Sequence, residues 1–139
     1  MGQEIQINLH MTIDDNGQME YNTIREKGEY FQRDQFDVLS YVESNNEDGP
    51  IKNRITIQPE RVNIKRSGHV QMNQQFRLHK KTENVFKHPY GTIRMETYTK
   101  SIVYKRLENK EDGSLIIEYS VKLNGQEARE HRLELYFEE

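Results

Sequence analysis

Cysteine is missing from these 139 residues, and with it go disulfides, thiolate nucleophiles and cysteine-based zinc sites. Alanine is nearly missing too: Ala128 stands alone, against eight tyrosines and many Ile, Val and Thr. Alanine is the best helix former, whereas β-branched and aromatic residues suit a pleated, half-buried surface. The composition is that of an all-β chain. The opening MGQEIQINLH has no basic region leading into an apolar one, and no apolar run approaches membrane-spanning length. A soluble cytoplasmic protein is the expectation. Charge of one sign is also lacking: the net charge is −3, which argues against a dedicated nucleic-acid binder. Apolar content is only 33%, yet the small net charge and strong hydrophobic periodicity argue against disorder. The length predicts one domain over residues 1–139 around a single core.

What is present is alternation. In EIQINLHMTID, Ile5, Ile7, Leu9, Met11 and Ile13 occupy odd positions with polar residues between them, a strand with one buried and one wet face. DDNG (Asp14 to Gly17) then turns the chain with residues that tolerate positive φ. A weaker strand follows from Gln18 to about Lys27, then a short arm, a turn near Arg33 and Asp34, and a strand from Gln35 to Glu43. NNEDGP (Asn45 to Pro50) and ENKEDGS read as loops. In IKNRITIQ and RVNIK the apolar residues switch from odd (Ile55, Ile57) to even (Val62, Ile64), which predicts a turn at Pro59-Glu60. Another phase change near Lys100 divides Ile93, Met95, Thr97 and Thr99 from Ile102 and Tyr104, and predicts a bulge that bends the strand round a closed sheet.

Opposed residues of a hairpin share a face, which tests registers. A three-residue turn at Arg66, Ser67 and Gly68 opposes Ile64 to Val70 and Val62 to Met72, and leaves Gln74 opposite Glu60. In the last hairpin Leu115, Ile117 and Tyr119 oppose Leu135, Leu133 and His131. A one-residue slip there would send the whole apolar set into water. About eight to ten antiparallel strands result, and they must close or stack because a flat sheet exposes its edges.

RSGHVQMNQQF, followed by GTIRMETYTKSI, resembles the YwiB-like family of β-barrel proteins from Gram-positive bacteria, which has no established function. The resemblance covers nearly the whole chain. It is most specific at Arg66, Ser67, Gly68, Val70, Met72, Asn73, Gln74 and Phe76, and again at Gly91, Thr97, Thr99, Lys100, Ser101 and Ile102. It implies an all-β, single closed antiparallel barrel of calycin or lipocalin type, whose relatives often bind small hydrophobic molecules. It carries over no catalytic or binding residues, and a fold alone implies no function.

Gln74 shares a face with Val70, Met72 and Phe76. It has two readings: a hydrogen bonder set in a ligand cavity, or a buried amide satisfied by Glu60, backbone or water. Thr97, Thr99, Tyr119 and His131 also point inward by parity, as a polar belt round a cavity or as solvated residues at a barrel mouth. Arg66 suits either an anionic group at the rim or a structural cap. The basic segment RLHKKTENVFKH (Arg77 to His88) offers a surface for nucleic acid or an acidic partner, or a merely solvated run. The five histidines, His10, His69, His79, His88 and His131, show no metal-binding spacing, and DDNG lacks the other oxygen ligands of a calcium loop. No phosphate-cradling loop, nucleophile elbow or paired-carboxylate motif occurs.

The expectation is a non-enzymatic barrel without a cofactor that encloses a small apolar ligand. Val70, Met72, Phe76 and Met95 would form walls, Gln74, Thr97, Tyr119 and His131 polar contacts, and Arg66 the rim. The alternative is a solid barrel acting through its outer surface, at the basic segment or the exposed Tyr98, on a protein or, as the lesser expectation, on nucleic acid.

Overall fold

The computed structural model describes residues 2–44, 48–108 and 111–139. Among them ten strands run in sequence: β1 (Gln3–Asp15), β2 (Gln18–Gln32), β3 (Asp37–Glu43), β4 (Ile51–Gln58), β5 (Arg61–Ser67), β6 (Gln71–Arg77), β7 (Lys81–His88), β8 (Gly91–Lys105), β9 (Gly113–Leu123) and β10 (Arg129–Glu138). Each pairs antiparallel with its neighbours in sequence, and β1 meets β10 to close the barrel. Among the described residues no helix is long and apolar enough to cross a membrane. The loops expected around NNEDGP and ENKEDGS lie partly at residues 45–47 and 109–110, outside the described residues.

Parity builds the interior. Ile7 opposes Phe137, Leu9 opposes Leu135, and Met11 opposes Leu133, which in turn opposes Ile117. All but Met11 of these are buried. Such a row of cross-strand apolar pairs is the stabilising unit of a sheet. Phe137 needs room, and the chain supplies it on β9, where Gly113 lies opposite. A Cβ there would meet the Phe137 ring.

The phase change in β8 is a bulge. Thr99 opposes Tyr119, but Ser101 opposes Glu118, so the register shifts across Lys100. The extra residue lets Thr97 and Thr99 point inward before it and Ile102 and Tyr104 after it, while β8 bends with the barrel wall.

In the last hairpin the Asn124-Gly125 pair by itself favours a two-residue turn, and so a register one residue from the buried-face match. Leu115 opposes Leu135 and Tyr119 opposes His131, as the buried-face match requires. Asn124 and Gly125 nonetheless form a two-residue turn at φ 51 and 75, closed by a bond from the Gln126 amide to the Leu123 carbonyl at 3.0 Å. Gln126 to Ala128 then leave the ladder and absorb the one-residue difference.

The β5–β6 hairpin corrects the expected register. Ser67 opposes Gln71, Arg66 opposes Met72, Ile64 opposes Gln74 and Val62 opposes Phe76. The loop is therefore Gly68–His69–Val70, four positions off in pairing. Apolar parity specifies register only to an even number of residues, since an even slip keeps every side chain on its face. The longer β5 makes more ladder bonds and sets the fully buried Phe76 beside Val62. Val70 consequently sits buried in the loop and not on the barrel wall, and Gln74 lies mid-hairpin, away from Glu60.

Gly113→Ala should overpack the Phe137 site and cost about 1–3 kcal/mol of stability, read by urea denaturation. A change within experimental error would show that the glycine is not required by that contact.

Candidate functional site

An up-and-down barrel sends its odd and even turns to opposite ends. The turns at 16–17, 68–70, 89–90 and 124–128 gather at one end, while those at 33–36, 59–60 and 78–80 gather with both termini at the other.

The terminal end is plugged. Asp37 opens β3 on the inward face and is buried. Arg106, just past β8, grips it with a fork: Nε donates to Oδ2 and an Nη to Oδ1, both at 2.9 Å. Tyr104 donates to Oδ2 at 2.6 Å, so its single proton is spent there. The Tyr30 hydroxyl lies 2.7 Å from Tyr104 and 3.1 Å from Asp37 Oδ2, and accepts from Gln32 Nε2 at 3.3 Å. Burial opposes the charge on Asp37, but the bonds from Arg106 and the two tyrosines outweigh it and hold its carboxyl below the usual range. The same burial and bonding push the Tyr104 phenol far up. A hollow of about 720 Å³ overlies this plug, bordered by Arg33, Phe36, Pro59 and Arg106. The polar groups of the plug beneath it are already engaged with one another.

The turn end is open. Inside it lies a cavity of about 450 Å³ whose wall is largely aliphatic and thioether, including Leu9, Met11, Ile24, Met72, Met95 and Leu133. Its polar groups come from several strands. Gln74 is buried and donates from Nε2 to Thr97 Oγ1 at 2.9 Å. Tyr119 stacks on His131 with ring centroids 5.0 Å apart, takes Phe76 against its edge at 4.7 Å, and donates weakly to Met11 Sδ at 3.5 Å. Burial pushes the Tyr119 phenol up. Burial, with Arg129 nearby, lowers the His131 imidazole to about 4, so it is neutral at pH 7. Towards the mouth, an Nη of Arg66 donates to Glu43 Oε2 at 2.9 Å, and Asn53 Nδ2 donates to the same oxygen at 2.7 Å. Burial and the Glu43 charge raise the adjacent Tyr41 phenol. Among the described residues, no group of three His, Asp or Glu could hold a metal ion.

A model of a domain of unknown function, DUF1934, matches residues 6–135. The chain belongs to that family. The uncharacterized beta-barrel protein YwiB of Bacillus subtilis (strain 168) is 31% identical over 140 residues, spanning 99% of this chain and 96% of YwiB. The crystal structure of ywiB protein from Bacillus subtilis superposes with a TM-score of 0.86 at 28% identity, covering 99% of this chain and 92% of that one. The resemblance drawn from the Arg66–Phe76 and Gly91–Ile102 segments is thus a family relationship.

Within this DUF1934 barrel, Met72, Gln74, Met95, Tyr119 and His131 line one cavity, and Arg66 stands at its mouth. Thr99, Tyr119 and His131 form one cross-strand row, of which Tyr119 and His131 line the cavity and Thr99 does not. Thr97 and Phe76 lie behind the lining, one bonded to Gln74 and the other packed on Tyr119. Val70 is in the β5–β6 loop and does not reach the cavity. The basic segment forms the β6–β7 turn and β7, where Lys81 lies 4.0 Å from Glu83.

Sequence reasoning missed Glu43, Asn53 and the Asp37 plug. Their signal was parity: Asp37 and Glu43 share the odd face of β3 with Leu39 and Tyr41, and Asn53 shares that of β4 with Ile55 and Ile57. A charged or amide side chain in phase with an apolar row must find a partner.

The imidazole sets a pH dependence. Between the ordinary value of 6.5 and about 4, the unfolded chain binds a proton that folded His131 refuses. Stability therefore rises with pH across that window and is lost as pH falls through it. The Asp37 contribution persists at higher pH and disappears only below about 4. His131→Phe should remove roughly 2 kcal/mol of the stability difference between about pH 7 and pH 4.5 in urea titrations. Equal losses in both proteins would contradict a buried neutral imidazole.

Proposed function

We propose that the barrel binds a small, largely apolar molecule in its open-end cavity and performs no chemistry on it. The cavity itself carries this reading: about 450 Å³ walled largely by Leu, Ile and Met, beside a core packed with Tyr30, Phe76, Phe137 and Leu115. A concave apolar site with a few convergent polar groups is the usual form of a small-molecule pocket. Binding would draw on removal of apolar surface from water, at roughly 25 cal/mol per Å². Gln74, Tyr119 and His131 would orient the guest. The three cavity methionines, Met11, Met72 and Met95, have soft, adaptable side chains that accommodate varied shapes.

The absence of catalysis belongs to the same proposal. It is supported by the full engagement of the buried carboxylate Asp37 with Arg106 and two tyrosines, at the end away from the cavity. A cytoplasmic setting is proposed with it. The outward faces carry Glu4, Arg25, Arg54, Glu118 and Arg132, which suit water and not hydrocarbon.

Native mass spectrometry of freshly purified protein, with extraction of any bound molecule, tests the reading. The expected result is an adduct, or a thermal shift with members of a lipid and metabolite panel, that is weakened at least about tenfold by the cavity-filling change Met72→Trp. Repeated recovery of the bare chain with no thermal shift across the panel would overturn it.

A further inference from the structure

The cavity wall is largely apolar, yet among the described residues its lining holds Arg66 and Glu43 at the mouth, and their geometry bears on what can enter. Arg66 is the inward residue of β5 nearest the turn end, placed between Asn53 on β4 and Met72 on β6. Glu43 ends β3 on the same inward face. Their side chains are only 26% and 15% exposed, and they meet at 2.9 Å. Asn53 adds its amide to the same Glu43 oxygen and is itself 3% exposed, held by a second bond to the Ile51 carbonyl. The pair is therefore braced by a buried neighbour and is not a loose surface contact.

The remaining polar groups of the lining add no charge. Gln74 and Asn53 are amides, and Tyr41 and Tyr119 are phenols whose ionisation burial opposes. His131 faces Tyr119 from its own hairpin and Ile13 from β1. An anionic guest reaching the other N–H groups of Arg66 would sit beside the Glu43 carboxylate, whose charge already offsets that of the guanidinium. A cationic guest at Glu43 would likewise sit beside the guanidinium. Either guest meets a like charge in a poorly solvated wall, which is unfavourable. A neutral guest leaves the pair intact.

We infer that the cavity selects electrically neutral ligands, an apolar body with at most an uncharged hydrogen-bonding group, and that the Arg66–Glu43 pair at its mouth enforces the selection. This rests on the binding reading above and adds the ligand's charge class to it. It excludes long-chain carboxylates and organic phosphates, which an unpaired arginine in the same place would attract.

Two fluorescent molecules with one ring body test the inference: uncharged N-phenyl-1-naphthylamine and its anionic sulfonate, 1-anilinonaphthalene-8-sulfonate. Each is titrated into the wild-type chain, Glu43→Gln and Met72→Trp, with circular dichroism confirming that every variant is folded. The neutral molecule should bind the wild type at least about tenfold more tightly than the sulfonate, and Met72→Trp should abolish that binding. Glu43→Gln, which keeps an oxygen for Asn53 but frees the guanidinium, should move the ratio about tenfold towards the sulfonate. Should Glu43→Gln not fold, Glu43→Ala or Arg66→Met serves, the latter moving the ratio further towards the neutral molecule. Sulfonate binding as tight as neutral binding, lost in Met72→Trp, would overturn the charge selection while leaving the binding reading standing. An unchanged ratio in the folded mouth variants would likewise overturn it. If neither molecule binds in a manner sensitive to Met72→Trp, the cavity reading fails and the inference falls with it.

Discussion

Closure of ten strands into one ring is the constraint on which everything else here depends. Once β1 meets β10, each strand gives one face to a common interior, and no sheet edge remains to be covered elsewhere. Eight strands enclose a space that side chains just fill, and the diameter grows with strand number. Ten strands built from 139 residues therefore enclose more room than one layer of alternating side chains can occupy. The chain spends its aromatic bulk at one end, where Tyr30 and Phe137 pack with ring centroids 5.0 Å apart. Flexible methionines line the other, around the cavity of about 450 Å³.

Two polar devices at opposite ends complement this asymmetry. At the filled end, Asp37 is buried and carries a dense set of donors, so its desolvation is compensated in full by a bidentate guanidinium and phenolic hydroxyls. The arrangement ties β2, β3 and the exit of β8 together. At the open end, Arg66 and Glu43 neutralise each other at 2.9 Å between β5 and β3, which are both neighbours of β4. The first device closes a barrel end. The second pairs a cation with an anion at the edge of the cavity. The DUF1934 relative YwiB shares the barrel along nearly its whole length, so the fold belongs to the family.

Much of the architecture was legible because period-two patterning is strong in β1, β4, β9 and β10. The bulge at Lys100 was legible for the same reason, since a phase change within one apolar row has few other physical meanings. The candidate site was legible in part: Met72, Gln74, Met95, Tyr119 and His131 come together, with Arg66 at their edge. Val70 fails because parity cannot separate registers that differ by an even number of residues, and the β5–β6 hairpin exploits that freedom. Gln74 illustrates a second limit. Its inward direction followed from its neighbours on β6, whereas its partner, Thr97, is 23 positions away and belongs to β8.

The sequence by itself determined the all-β class, the faces of most strands, the β8 bulge and the register of the last hairpin, because those depend on local alternation and on which set of side chains water would reject. Only the tertiary structure decided the strand number, the register of β5 against β6, the plug around Asp37 and the hollow behind Arg66 and Glu43. These join residues from strands far apart in the chain, and their energies depend on distances and desolvation that arise only once the ring has closed.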